Sequence, residues 1–202
     1  IAYQMSRDRM KADKLAKERE NENLKTELSL LRSQVSPHFM FNVLNNMVAL
    51  ARKQSDQLEP SLIKLSSLMR YMLYDTDGEK VSLEKEMDYL QSYIDLQKQR
   101  FGKNVVIQTA FTEIDGSYNI EPMLLIPFVE NAFKHGTGFM EDARIEIELR
   151  VKNSLLYFTV RNRFNIESEE VKDKTSGIGL TNVKRRLNLL YGNKQTLLIS
   201  KN

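Results

Sequence analysis

The sequence predicts an α+β protein in which a helical coiled coil and a helical hairpin precede a mixed β-sheet covered by helices. Three observations carry this. Residues 1–35 contain neither Pro nor Gly and are rich in Lys, Glu, Arg and Asn. Two amphipathic runs follow, on either side of a polar break around Lys53–Glu59. After Gly102 the apolar pattern shifts from a helical spacing to short runs rich in β-formers.

The opening stretch reads as one long exposed helix. Leu24, Leu28, Leu31 and Val35 recur at spacings of four, three and four, which is a coiled-coil seam. Upstream the seam meets Asn21, Lys17 and Lys14 and weakens. A solvated single helix is the alternative. Pro37 removes a backbone donor and crowds the preceding turn, so a kink is expected there. Phe39, Val43, Leu44, Met47 and Leu50 resume the helical period, and from Pro60 a second run carries Leu62, Leu65, Met69, Met72 and Leu73. Two such helices with a short link make a hairpin, and a lone hairpin leaves apolar surface wet. Pairing into a four-helix dimer is therefore expected.

Asp75–Gly78 is turn chemistry and a candidate boundary. Ser82 is placed to cap a third helix bearing Leu83, Met87, Leu90 and Ile94. Strands are predicted at Val105–Phe111, Arg144–Val151, Leu155–Val160 and Thr196–Ser200, with helices near 123–135 and 179–191. Ile145, Ile147 and Leu149 alternate with Glu146, Glu148 and Arg150, as in a sheet with one wet face. The expected division is a connector at 1–27, a hairpin at 28–78, and an α/β layer domain at 79–202.

Composition narrows the chemistry. A net charge of +3, with basic residues interleaved among acidic ones, gives no case for nucleic acid. There is no cysteine and there are only two histidines, His38 and His135, so a zinc site built from His and Cys is not expected. No run approaches the ~18 apolar residues of a membrane span. The chain begins at Ile1 and stops within the apolar run at Thr196–Ser200, so it reads as a piece of something longer.

Three constellations carry polar chemistry. In Gln34–Asn46, His38 follows the proline and Asn42 lies one helical turn on. A neutral imidazole is a nucleophile near pH 7, and an amide at i+4 shares its face. A histidine hydrogen-bonded in a bundle seam fits the same residues. In Pro127–Gly136, Phe128, Val129, Ala132 and Phe133 make an apolar face, while Glu130, Asn131, Lys134 and His135 are polar. A carboxamide near a Lys suits hydrated Mg²⁺ and phosphate oxygens; an ordinary amphipathic helix stopping at Gly136 is the plainer reading. In Ser176–Leu187, Gly177 and Gly179 precede a helix, where backbone can approach phosphate closely.

Taken in order, these segments resemble the LytS/YehU-type sensor histidine kinases, whose ATP-binding half shares the fold of gyrase, Hsp90 and MutL. The resemblance covers roughly residues 28–200, and Pro37–Asn45 is its most specific part. Leu68–Tyr71, Val81–Glu86, Tyr93 with Gln99–Phe101, Glu130–Gly136 and Gly177–Leu187 leading to Tyr191–Gly192 support it. It implies a histidine kinase that autophosphorylates His38 from ATP and passes the phosphoryl group to an aspartate on a response regulator receiver domain. It further implies Asn42 as an aid to water placement, Glu130 as a polariser, and Asn131 as the Mg²⁺ contact. Lys134, His135, Gly177, Gly179 and Leu180 would meet the nucleotide. A homodimer, no nucleic acid, and a cytoplasmic fragment with a membrane anchor upstream of Ile1 complete the expectation. Asn162 stands where the family carries the adenine-reading Asp, and Phe164 replaces its glycine. A degenerate kinase that binds without turnover, and an ATP-driven clamp of the gyrase or MutL branch, remain as rival readings.

Overall fold

The structure is a computed structural model that describes residues 14, 37–75, 80–114, 116–137, 142–163 and 178–200. The predicted coiled-coil seam, the kink before Pro37, most of the Asp75–Gly78 turn and the segment 164–177 lie outside them. Ser36–Val183 form one compact unit, and Lys184–Ser200 fall in another.

Helix α1 spans Pro37–Arg52 and α2 spans Leu58–Arg70, followed by a π-helical turn at Tyr71–Asp75. The hairpin is the one expected from the two apolar stripes. Phe39, Val43 and Met47 are buried along α1, as are Leu65 and Leu68 along α2. Helix α2 starts at Leu58, two residues before Pro60. Pro60 sits in the first turn, where a missing N–H costs nothing.

Strand β1 (Val81–Ser82) leads into α3 (Leu83–Phe101), whose N-terminus Ser82 caps by accepting from the Lys85 N–H at 3.3 Å. Leu83, Leu90 and Ile94 are buried as expected, and Gly102 ends the helix at φ +57. Helix α3 grips α2 along its length. Lys64 Nζ lies 2.5 Å from Asp95 Oδ2, and the fully buried Ser61 hydroxyl meets Gln99 Oε1 at 2.6 Å.

Strands β2 (Val105–Phe111), β4 (Ala143–Lys152) and β5 (Leu155–Asn162) form a mixed sheet in the order β2-β4-β5. β2 runs parallel to β4, and β4 antiparallel to β5. Ala143, Ile145, Ile147 and Leu149 are buried on one face. The other face carries ion pairs from Arg144 to Glu146 at 2.9 Å and from Arg161 to Glu148 at 3.1 Å. Asn153 and Ser154, both at positive φ, close the β4–β5 hairpin with the primed turn geometry that matches strand twist. A two-residue strand β3 (Asn119–Ile120) pairs with β1. Helix α4 (Ile126–Gly136) packs on the apolar face, with Phe128 edge-on to Phe158 at 6.1 Å.

Helix α5 (Ile178–Tyr191) is followed by a 3₁₀ turn at Gly192–Lys194. The strand predicted at Thr196–Ser200 does not form: the residues take no place in either sheet. A strand needs a neighbour to accept its ladder, and apolar content alone does not supply one.

Candidate functional site

Helix α4 carries the predicted polar cluster, and its burial pattern explains how it is held. Ile126, Val129, Ala132, Phe133 and Gly136 are buried on one stripe. Glu130 and Asn131 are half-buried beside it, and Lys134 and His135 are exposed in the last turn. The Thr137 hydroxyl donates to the Phe133 carbonyl at 2.6 Å and closes the helix end. Burial pushes the Glu130 carboxyl up to about 7. Burial first, and then the nearby Glu130 charge, push the Tyr89 and Tyr93 phenols of α3 well above their ordinary value.

The helix end meets the sheet through a glycine. A Cβ on Gly136 would stand 2.8 Å from Asn162 Cβ and 3.3 Å from the Arg163 carbonyl oxygen. Only a residue without a side chain lets α4 approach β5 so closely. Asn162 pairs in register with Ile145 and so lies on the helix-covered face of the sheet. Its Nδ2 donates to the Arg163 carbonyl at 2.9 Å, which leaves its carbonyl oxygen as the acceptor. The structure therefore brings Asn162 to the end of the helix that bears Asn131, Lys134 and His135. A half-buried carboxamide in the middle of the helix fits a hydrated Mg²⁺, and an exposed ammonium one turn on fits the substrate phosphates such an ion would share. Such an ion takes few protein ligands, and no cluster of three or more acidic or His side chains is present among the described residues.

His38 is the second residue of α1, and Asn42, half-buried, follows one turn later. A chain of rings leads from this helix to α4. Phe39 lies 4.3 Å from Tyr93, Tyr93 5.9 Å from Phe133, and Phe133 6.0 Å from Phe101. Gly179 and the half-buried Leu180 occupy the first turn of α5, whereas Gly177 lies outside the described residues.

The model of the histidine kinase family matches residues 26–105, which take in Pro37–Asn45 and all of α1 to α3. The sensor histidine kinase BtsS of Escherichia coli K12 is 30% identical over 168 residues, 83% of this chain and 29% of that protein. The sensor protein LytS of Staphylococcus haemolyticus is 32% identical over 182 residues, 85% of this chain and 31% of that protein.

Residues 26–105 of this chain carry a histidine kinase family domain.

The sensor protein LytS of Enterococcus faecalis is 28% identical over 184 residues, 86% of this chain and 31% of that protein. The chain thus spans about three-tenths of the length of the sensor kinases it matches. A solved structure described as that of a bacterial phosphotransferase covers 83% of this chain and is 85% covered itself. At 11% identity and a TM-score of 0.37, it supports no comparison of fold or site.

One structural feature of the chain escapes a reading of the sequence by motif. Leu125, at the start of α4, has no side-chain cap. The fully buried Glu86 of α3 supplies one from a distance, accepting the N–H groups of Met123 at 2.9 Å and Leu125 at 3.2 Å. The available signal was its spacing. Glu86 falls between Leu83 and Leu90 on the apolar stripe of α3, where a carboxylate has to find donors.

Proposed function

We propose that this chain is the catalytic part of a sensor histidine kinase that transfers the γ-phosphoryl group of ATP to His38 and then to an aspartate of a response regulator. Residues 28–78 act as the dimerisation and phosphotransfer hairpin and 79–202 as the ATP-binding domain, with 1–27 as the helical connector. The observation that supports this best is the close approach of Gly136, which ends α4 just after Lys134 and His135, to the strand-end amide of Asn162. On this reading Asn162 accepts from the adenine amino group, and Lys134 and His135 meet the phosphates. Backbone at Gly177–Leu180, leading into α5, meets them as well.

In the transfer, a ring-nitrogen lone pair of His38 forms the N–P bond as the bond from the γ-phosphorus to the ADP oxygen breaks. The ring proton then passes to solvent or to a neighbouring base. Mg²⁺, when bound, offsets charge on the phosphate oxygens, and Asn131 is the residue that would hold it. Glu130 polarises the site from the same helix. Catalysis of this kind is positioning and electrostatics more than covalent work by the protein.

The hairpin dimerises. Phe41, Leu44 and Val48 of α1, and Leu62, Met69 and Leu73 around α2, are exposed large apolar residues at helical spacing. They form a face that a second copy would cover. Among the described residues no helix is long and apolar enough to cross a membrane; we place the chain on the cytoplasmic side of a membrane-anchored sensor.

The deciding experiment incubates the protein with γ-labelled ATP and Mg²⁺. Acid-labile, alkali-stable label on wild type that disappears in His38→Gln, with nucleotide binding kept, supports the kinase. Label that persists in the variant sinks the acceptor assignment. Binding without label in wild type favours the degenerate module, a reading that Asn162 and Phe164 motivate. Release of free phosphate without labelled protein favours the clamp.

A further inference from the structure

The buried carboxylate of Glu86 takes no part in the proposed phosphoryl transfer. One of its oxygens, Oε2, is shared by the Tyr71 hydroxyl and the Met123 N–H, while Oε1 takes the Leu125 N–H. These donors belong to different elements. Tyr71 opens the π-helical turn that ends the hairpin, and Met123 and Leu125 form the turn that launches α4. Met123 holds a left-handed backbone, φ +57, which a side chain seldom adopts without an outside partner. Helix α3 holds the hairpin end at two further points. The Tyr71 ring lies 4.6 Å from the Tyr89 ring, and Lys85 pairs with Asp75 at 2.7 Å.

We propose that Glu86 is a positioning residue that couples the hairpin to α4, the Tyr71 hydroxyl and the Met123–Leu125 amides competing for and sharing one carboxylate. A carboxylate so placed has two settings. With Tyr71 seated, Oε2 is anchored between the hydroxyl and the Met123 amide, and the entry to α4 is fixed. When a movement of the hairpin withdraws the hydroxyl, a buried carboxylate loses one of its donors, a costly state. It shifts toward other donors, and its hold on the left-handed Met123 weakens. The Glu130–Asn131 segment, one turn further along the same helix, then loses its fixed pose. Burial and the facing Glu86 push the Tyr71 phenol far above its ordinary value, so the hydroxyl remains a donor throughout the working range of pH. The consequence for nucleotide binding rests on the reading of α4 as the nucleotide helix; the mechanical link does not.

The test is hydrogen exchange and kinetics on the full chain, wild type against Tyr71→Phe and Glu86→Gln. Tyr71→Phe keeps the ring and deletes one donor, so it is read even if Glu86→Gln fails to fold. The expected result is exchange of the Met123 and Leu125 amides about fivefold faster in Tyr71→Phe, the scale of one net hydrogen bond, with the β4 amides unchanged. With it goes a raised KM for Mg-ATP in autophosphorylation at little-changed kcat, whereas a merely less stable protein would lose kcat at constant KM. Unchanged Met123 and Leu125 exchange in Tyr71→Phe overturns the coupling, and it does so even if labelling of His38 proceeds normally. Faster exchange at those amides in a protein that never takes label upholds the coupling and removes the nucleotide reading instead.

Discussion

At the residue scale, Gly136 and Glu130 make opposite kinds of demand on α4. Alanine is a better helix former than glycine by about 1 kcal/mol in a helix interior. At Gly136 that gain is opposed by a Cβ placed 2.8 Å from Asn162 Cβ, with backbone at 3.3 Å behind it. Overpacking of this sort costs about 1–3 kcal/mol, so the clash outweighs the propensity. Gly136→Ala is expected to lower the denaturation midpoint and to weaken ATP binding by displacing Asn162; equal stability and affinity would show that the approach is slack. Glu130 is held mostly out of water, and its carboxyl titrates near 7 against an ordinary value of 4.5. Folding therefore takes up a proton between those values. The stability this lends is complete below about 4.5 and is lost as pH rises through about 7. Urea titrations at pH 5 and pH 8, without nucleotide, are expected to show a steeper fall for wild type than for Glu130→Gln, which cannot ionise. Parallel falls would mean that the carboxyl is solvated.

At the element scale, α1 presents His38 and Asn42 one turn apart, with Phe39, Val43 and Met47 buried. Asn42 is half-buried, so it is neither a core residue nor a fully solvated one. On the proposed function, a neutral amide there would orient water without competing for the phosphoryl group. Asn42→Ala is thus expected to lose phosphatase activity toward the phosphorylated regulator more than autophosphorylation. Should both activities and the melting temperature fall together, the amide is a bundle hydrogen bond only. Elements with a strong period were legible in the sequence. The alternation of Ile145, Ile147 and Leu149 with charged neighbours located β4, and the stripes of α1, α2 and α3 located the hairpin and its cap at Ser82. What was not legible depends on partners distant in the chain. The β1–β3 pair is two residues long, too short to show a period, and the Met123 turn delays α4 to Ile126 because Glu86 rewards a left-handed residue there. Thr196–Ser200 erred the other way, as apolar residues without a ladder to join. Of the site, Glu130, Asn131, Lys134 and His135 were found as one helix by their order. The approach of Gly136, at the end of that helix, to Asn162 was not, since it rests on packing across the sheet face.

At the scale of the whole molecule, the apolar residues left exposed on α1 and α2 are the strongest statement about assembly. Phe41, Val48, Ile63 and Leu73 are each half or more exposed, at 67%, 50%, 60% and 59%. A bundle formed with a second copy would remove that surface from water at about 25 cal/mol per Å² of apolar area. Sedimentation at tens of micromolar is expected to give a dimer, and the double substitution Phe41→Glu with Val48→Glu to give a monomer with the α3 contacts intact. A monomeric wild type would count against the paired hairpin.

The sheet joins two very different kinds of pairing. β4 and β5 meet across the two-residue turn at Asn153–Ser154, whereas β2 reaches β4 only after β3, α4 and the chain between have been laid down, Val105 against Ala143. Loop closure is cheap for the first and dear for the second. The β4–β5 hairpin is thus the natural nucleus, and the parallel edge is the last strand to dock. Since α4 lies within the loop that β2 must close, the helix bearing Asn131 reaches its seat on the sheet late in folding, so a chain caught partway would own a hairpin and no seated α4.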